Sequence, residues 1–246
     1  MLIVQQRFFS VAVKSWNSIL LSKVNNHFQV QVDGKVIQNT RKSNITFPNE
    51  HLAIMFAQEW ATYGKNPSQI VNSPVCMISQ RANTLALDNN ERQESIREIL
   101  NYLPTDTTLF WNESEQPLYN LQLTKWQPII TSINEYLQTN LVATTSLKAF
   151  ITASDQVKFY SCINSMCEWK LASFELCAKV TKSLLLPYSM LFQKRHNPDE
   201  LLQLSRLEEE YQIQKWGNIS NIHPIQKADL SRLLHLSNCV FQLASF

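Results

Sequence analysis

The stretch "SRLEEEYQIQKWGNISNIHP", from Ser205 to Pro224, gathers most of the residues in this chain that could do chemistry. Glu208, Glu209 and Glu210 are consecutive. On a helix they point about 100° apart, so they cannot converge on one substrate atom, and a solvated helix face competes with any catalytic reading. His223 stands before Pro224 in a predicted loop, where a lone histidine more often makes a local hydrogen bond than a proton transfer. The other candidate is Asp106, set between threonines in "PTDTT", where a turn or helix cap is favoured over a polar anchor. An enzyme built on this set would use Glu210, Asp106 and His223 as acid and base groups. No HExxH helix and no GxSxG elbow occurs in the sequence.

Other chemistries are excluded by composition. Only Gly34, Gly64 and Gly217 are present in 246 residues, where ordinary usage would give about seventeen. Phosphate-cradling loops need close-set glycines so that backbone amides reach the ligand, and none of these three has a near neighbour. The five cysteines, Cys76, Cys162, Cys167, Cys177 and Cys239, have neither an even count nor zinc-knuckle spacing. Cys162 and Cys167 read as small buried hydrophobes, and the odd count suggests a reducing compartment, with no metal and no other cofactor. A net charge of +2 without a basic cluster argues against nucleic acid. No apolar run reaches the length of a membrane span.

The elements that must position these residues change character along the chain. "HFQVQVDGKVIQN" alternates from Phe28 to Val32, turns at Asp33-Gly34 and resumes at Val36-Ile37, a hairpin signal. With "RFFSVAV" before it and "NITF" after it, the first fifty residues read as β-rich. After Pro48, with Asn49 as cap, Leu52, Met55, Phe56 and Trp60 recur on one helical face, and Gly64 is a stop. Helices are then predicted over 91–103, in "LTKWQPIITSINEYLQ" with an interruption or start near Pro128, over 155–186, and over 226–243. Asn197, Pro198 and Glu200 form a capping-box signature at a helix start. The expected architecture is α+β, with a β-rich domain over 1–90, carrying one or two helices, and a helical domain over 91–246.

Seven blocks, in this order and spacing, resemble one family: "RFFSVAV", "VQVDGKVIQ", "FPNEHLAIMFAQEW", "ANTLALD", "LPTDTTLFW", "KWQPII" and "SRLEEEYQIQKWGNISNIH". They are similar to the mitochondrial F(1)-ATPase assembly chaperones that hold the unassembled α subunit. The resemblance runs from Arg7 to about Leu243. It implies a non-enzymatic, monomeric matrix protein that shields the β-facing surface of that subunit. It also implies a client-binding role for Glu59, Trp60, Glu210, Trp216 and His223. Glu210→Lys is then expected to weaken client binding while leaving the melting temperature nearly unchanged.

The chain departs from the family pattern at several places. Ser220, Asn221 and Pro224 stand where acidic residues are usual, and Asn39-Thr40-Arg41 replaces an early Thr-Pro. "KSWNSILLSKVNN" reads as an insertion that lengthens the first connection. The first strand of the family pattern would begin six residues from Met1, leaving little room for a removable transit peptide. The first 32 residues nevertheless contain Arg7, Lys14 and Lys23 with no Asp or Glu, a composition compatible with one.

Overall fold

A computed structural model describes residues 16–63, 67–217 and 222–244, with the side chains of 67–68 and 222–224 outside the description. "RFFSVAV" and Gly64 lie outside the described residues. The fold is α+β: three short antiparallel strands in the order β1 (Ile19–Val24), β2 (His27–Val32), β3 (Lys35–Val36), followed by helices.

Two tight turns set the register. The Asp33-Gly34 turn has φ of 48° and 78°, the left-handed pair that a two-residue hairpin requires. Asp33 also accepts hydrogen bonds from the Asn17 and Ser18 amides at 2.8 and 2.9 Å, which fixes the entry to β1. The second turn is Asn25-Asn26, with φ of 48° and 64°, and it pairs β1 with β2 from Ile19↔Val32 to Val24↔His27. The stretch read as a lengthened connection therefore contains a strand. Asparagine tolerates the left-handed region, so this turn forms without glycine. Val30 and Val32 point inward, while Ile45 and Phe47 attach to the sheet through backbone bonds to Ile37 and Phe28.

The helices follow as α1 (Glu50–Tyr63), α2 (Pro67–Val71), α3 (Pro74–Leu87), α4 (Asn89–Leu100), α5 (Gln116–Leu137), α6 (Ala153–Asn164), α7 (Glu168–Thr181), α8 (Leu185–Leu191), α9 (Pro198–Ser205), α10 (Leu207–Trp216) and α11 (Ile222–Leu243). Two 3-10 turns, Leu103–Thr105 and Thr107–Leu109, separate α4 from α5. The Asn49 carboxamide caps α1 by accepting from the Leu52 amide at 3.1 Å. The buried face of α1 is Leu52, Ala53, Phe56, Ala57 and Ala61, so the alanines enter the core and Met55 and Trp60 stay half-buried. α5 runs straight through Pro128, an exposed position, at the cost of one backbone hydrogen bond.

The segment predicted as one helix over 155–186 is three. α6 ends at Asn164, and Lys182 takes a left-handed φ of 51° just before the amides of Leu184 and Leu185 turn to a buried carboxylate. The capping box at Asn197–Glu200 is present with both reciprocal bonds at 2.9 Å, and a second one joins Thr152 and Asp155.

Two compact units result. One comprises the described residues up to Arg92 with Cys167–Ser173 and the chain from Cys239. Its core stacks Phe47 against Phe56 and Trp169, with ring centroids 5.0 and 5.3 Å apart. The other comprises 93–166 and 174–238. Its centre holds Trp126, whose indole donates to the Leu204 carbonyl at 3.1 Å, and Tyr188 stacked on Phe192 at 4.9 Å.

The Asn25-Asn26 turn makes a direct prediction. Asn26→Val should lower stability by about 1–2 kcal/mol, since a β-branched side chain opposes the left-handed backbone, whereas Asn26→Gly should not. Urea unfolding of the two variants checks this, and equal losses would show that the turn does not set the hairpin.

Candidate client-binding surface

Glu59 and Trp60 close α1 within the first unit, and they do different things. The Glu59 carboxylate sits at the start of α3. It accepts from the Ser73 hydroxyl and from the Val75 and Cys76 amides, at 3.4 and 3.1 Å for the amides. Those amides have no partner inside α3, and the positive end of a helix dipole favours an anion there. Glu59 thus fastens α1 to α3 in addition to any outward role.

Trp60 is half-buried. Its ring lies 5.6 Å from Trp16 and 6.1 Å from Phe56, and its carbonyl accepts from the Trp16 indole at 3.2 Å. The Trp60 indole N–H is itself shielded from water and meets no acceptor among the described residues. The ring borders an apolar cleft of about 400 Å³ lined also by Val32, Val36, Ile37, Ile70 and Val71. An anchor side chain from a partner has a place to enter here.

α10, in the second unit, sends its glutamates in three directions. Glu208 turns inward and accepts from the Gln122 carboxamide at 2.6 Å, while Gln122, fully buried, accepts from the Asn112 amide at 2.9 Å. Burial pushes the Glu208 carboxyl above the usual range, against the pull of the Gln122 bond. Glu209 accepts from Arg206 at 2.7 Å. Glu210 accepts from Lys227 of α11 at 2.9 Å and lies 3.5 Å from the Arg206 guanidinium. The Lys227 ammonium, and then Arg206, hold the Glu210 carboxyl below the usual range.

Arg206 is itself buried at the junction of α9 and α10. A cation suits the end of α9 and opposes the start of α10, so Glu209 and Glu210 neutralise it where it would otherwise destabilise. Trp216 ends α10 with 68% of its surface exposed, and the Lys215 ammonium stands 5.3 Å from its ring. Glu115 ties this end to the neighbouring helix by accepting from Tyr211 at 2.9 Å and Lys215 at 2.6 Å. The side chain of His223 lies outside the described residues. Glu210 and Trp216 therefore share one helix, and Glu59 and Trp60 share another.

Asp106 is sealed. It accepts from the Thr108 amide and hydroxyl, the Ser183 hydroxyl, and the Leu184 and Leu185 amides, all between 2.6 and 3.1 Å. The capping reading is the one its geometry displays, and no face of it is open to a substrate. Burial pushes its carboxyl upward against these donors. No group of three or more His, Cys, Asp or Glu side chains among the described residues is placed to hold a metal ion.

Sequence reasoning missed Arg206, Lys227 and Glu115. Arg206 was readable, since it precedes Glu209 and Glu210 by three and four residues on a helical path. Lys227 and Glu115 come from other helices, and no local spacing announces them.

Two sets of substitutions test this geometry. Trp60→Arg should cost about 3 kcal/mol or more, because a guanidinium would replace a half-buried ring packed against Trp16 and Phe56 beside an apolar cleft. A melting curve matching the wild type would refute that role. On α10, Glu208→Gln keeps an acceptor for Gln122 and removes a charge that burial disfavours. Stability from a raised carboxyl is present at pH below the ordinary glutamate value and is lost as pH climbs through the raised one, so Glu208→Gln should gain on the wild type as pH rises from about 4.5. Glu208→Ala should lose about 1–3 kcal/mol by stranding Gln122. Glu210→Lys would face Lys227 and Arg206 and lower the melting temperature, contrary to the expectation that a client-binding glutamate could be reversed with melting nearly unchanged. Glu210→Gln, shifting stability by about 1 kcal/mol or less, is the variant that isolates binding.

The profile of the ATP12 chaperone protein family matches residues 7–134, just over half of the chain. The mitochondrial protein atp12 of Schizosaccharomyces pombe is 24% identical over 239 residues, covering 92% of this chain and 82% of its own. The mitochondrial ATP12 protein of Saccharomyces cerevisiae is 23% identical over 274 residues, covering 93% and 83%. In fold, the crystal structure of Atp12 from Paracoccus denitrificans superposes with a TM-score of 0.81 over 98% of this chain and 99% of that one, at 20% identity. The α+β architecture is thus one that a solved relative shares, and with the family profile matching more than half of its length this chain belongs to the ATP12 chaperone protein family.

Proposed function

We propose that this chaperone serves assembly of the mitochondrial F(1)-ATPase by binding its unassembled α subunit in the matrix. Family membership is the observation that carries the reading, and both curated relatives bear mitochondrial names. An α subunit without its β neighbour presents apolar surface that would otherwise aggregate. The Trp60 cleft offers an apolar seat for such a surface, and Glu210 with Trp216 offers an acidic and aromatic one. The protein acts as a monomer, without a cofactor and without catalysis of its own. Release needs no fuel, since a β subunit competing for the same surface displaces the chaperone by mass action.

Holding without trapping fits the α10 chemistry. Glu210 is already paired with Lys227, so a client cation replaces an existing ion pair and gains only the difference between the two. The enzyme reading is not favoured, because Asp106 has no exposed oxygen. Among the described residues no helix is long and apolar enough to cross a membrane.

Co-purification from a mitochondrial extract tests the proposal. The tagged chain should enrich the α subunit over the β subunit, and added β subunit should deplete the captured α. Equal recovery of both subunits, or of neither, would overturn it.

A further inference from the structure

The most exposed apolar side chains of the second unit lie in one arch between α5 and α6. Leu147 is 99% exposed, Phe150 79% and Val142 69%. Exposed apolar residues on a slack loop would mean little. This loop is clamped at every point of its base. Asn134 accepts from the Thr139 hydroxyl and the Leu141 amide at 2.8 and 2.9 Å and donates to the Leu141 carbonyl at 2.8 Å. Asp155, itself buried, accepts from the Asn140 amide at 3.1 Å and from both the amide and hydroxyl of Thr152. Lys158 donates to the Gln138 carbonyl. Halfway up, Thr144 exchanges backbone bonds with Leu109 and Trp111 at 2.7 and 2.9 Å. Polar groups at the base, with Asp155 and Thr139 buried, are thus committed to holding a short tip, 145–150, in which Leu147 and Phe150 stand exposed beside Thr145, Ser146 and Lys148. A partner meeting this tip loses little conformational freedom, which is what pre-organisation contributes to binding.

The charges around the tip select among partners. From Tyr136 to Met166 the sequence holds only Lys148, Asp155 and Lys158 as charged residues. Asp155 is buried and Lys158 is engaged at the base, which leaves Lys148 as the open charge of the arch, without a carboxylate partner among the described residues. A self-association about a two-fold axis through the tip would set Lys148 against Lys148. One lysine and two insertable side chains also fall short of the two signals that stable membrane anchoring takes. An apolar protein surface edged by carboxylates satisfies both the tip and its lysine.

We propose that the arch is a second client contact, in which Leu147 and Phe150 seat in the uncovered apolar surface of the client and Lys148 pairs with a carboxylate at its edge. This rests on the assembly reading above, with the α subunit as the client. It adds a surface of opposite charge to α10, so that one client is gripped by an acidic and a basic contact at once.

The test uses the full chain carrying a photo-reactive phenylalanine analogue at Leu147, together with the double variant Leu147→Ser, Phe150→Ser and the single variant Lys148→Glu. Irradiation should join Leu147 to the α subunit. The double variant should bind α at least tenfold more weakly and Lys148→Glu severalfold more weakly, each melting like the wild type because these side chains are exposed. Wild-type binding by the double variant would overturn the proposal, as would crosslinks confined to a second copy of the chain. Flotation of the wild type, but not the double variant, with vesicles of anionic phospholipid would overturn it in favour of a lipid surface. A wild type that captures no α subunit at all would remove the assembly reading itself and this proposal with it, an outcome distinct from one in which wild type and double variant bind equally.

Discussion

The carboxylate of Asp106 accepts hydrogen bonds from Thr108, Ser183, Leu184 and Leu185 in a place water does not reach, and much of the second unit depends on it. Helix ends leave backbone amides without partners, and a buried one must find an acceptor or cost free energy comparable to a lost hydrogen bond. Glycine-rich loops commonly relieve that problem, but this chain has three glycines. It relies on side chains instead. Asp106 serves the start of α8 from a segment about eighty residues away, Glu59 serves the start of α3 from the end of α1, and Asn134 and Asp155 serve the loop between α5 and α6. Asp106, one of the residues most suggestive of chemistry in the sequence, is wholly occupied with this work.

That occupation explains which parts of the molecule were legible beforehand. Local signals held where the physics is local. Asp33-Gly34 formed its hairpin because only a few residue types tolerate that backbone, and Asn197–Glu200 formed its capping box because donor and acceptor lie three residues apart. The second break in the predicted helix over 155–186, before α8, was illegible, since the carboxylate that receives its amides is Asp106, 77 residues from Ser183 in sequence. The strand at Ile19–Val24 was overlooked because Asn25-Asn26 is a weaker turn signal than Asp-Gly, although both adopt the same left-handed geometry. At the candidate site the divergence of the three glutamates followed from helix geometry alone. Which of them turns inward did not, because Gln122 and Lys227 arrive from α5 and α11.

A chaperone of this kind has two requirements that pull apart. It must present apolar surface to recognise an incomplete subunit, yet remain soluble and unaggregated while free. Here the apolar surface is divided. The Trp60 cleft is recessed beside the sheet, Trp216 is shielded on one side by Lys215, and the Leu147–Phe150 tip is kept small and held on a clamped base. On the proposed reading, a client that engages more than one patch of the same unit gains from their combination, because contacts after the first are made without a further loss of overall translational freedom.

Division also bears on release. If one large apolar interface held the client, a competing β subunit would have to displace all of it at once, and dissociation would be slow. Several modest contacts can be lost one at a time, with the competitor occupying surface as each opens. The charged contacts are arranged to favour this. Glu210 keeps Lys227 and Arg206 as partners, so its release leaves no stranded charge on the chaperone. Removing a partner from a desolvated charge commonly costs about 2–5 kcal/mol, and a standing internal pair avoids most of that penalty in both directions. On the proposed reading, in which Glu210 meets the client, the ion pair between α10 and α11 lowers the barrier to leaving as much as it limits the strength of binding.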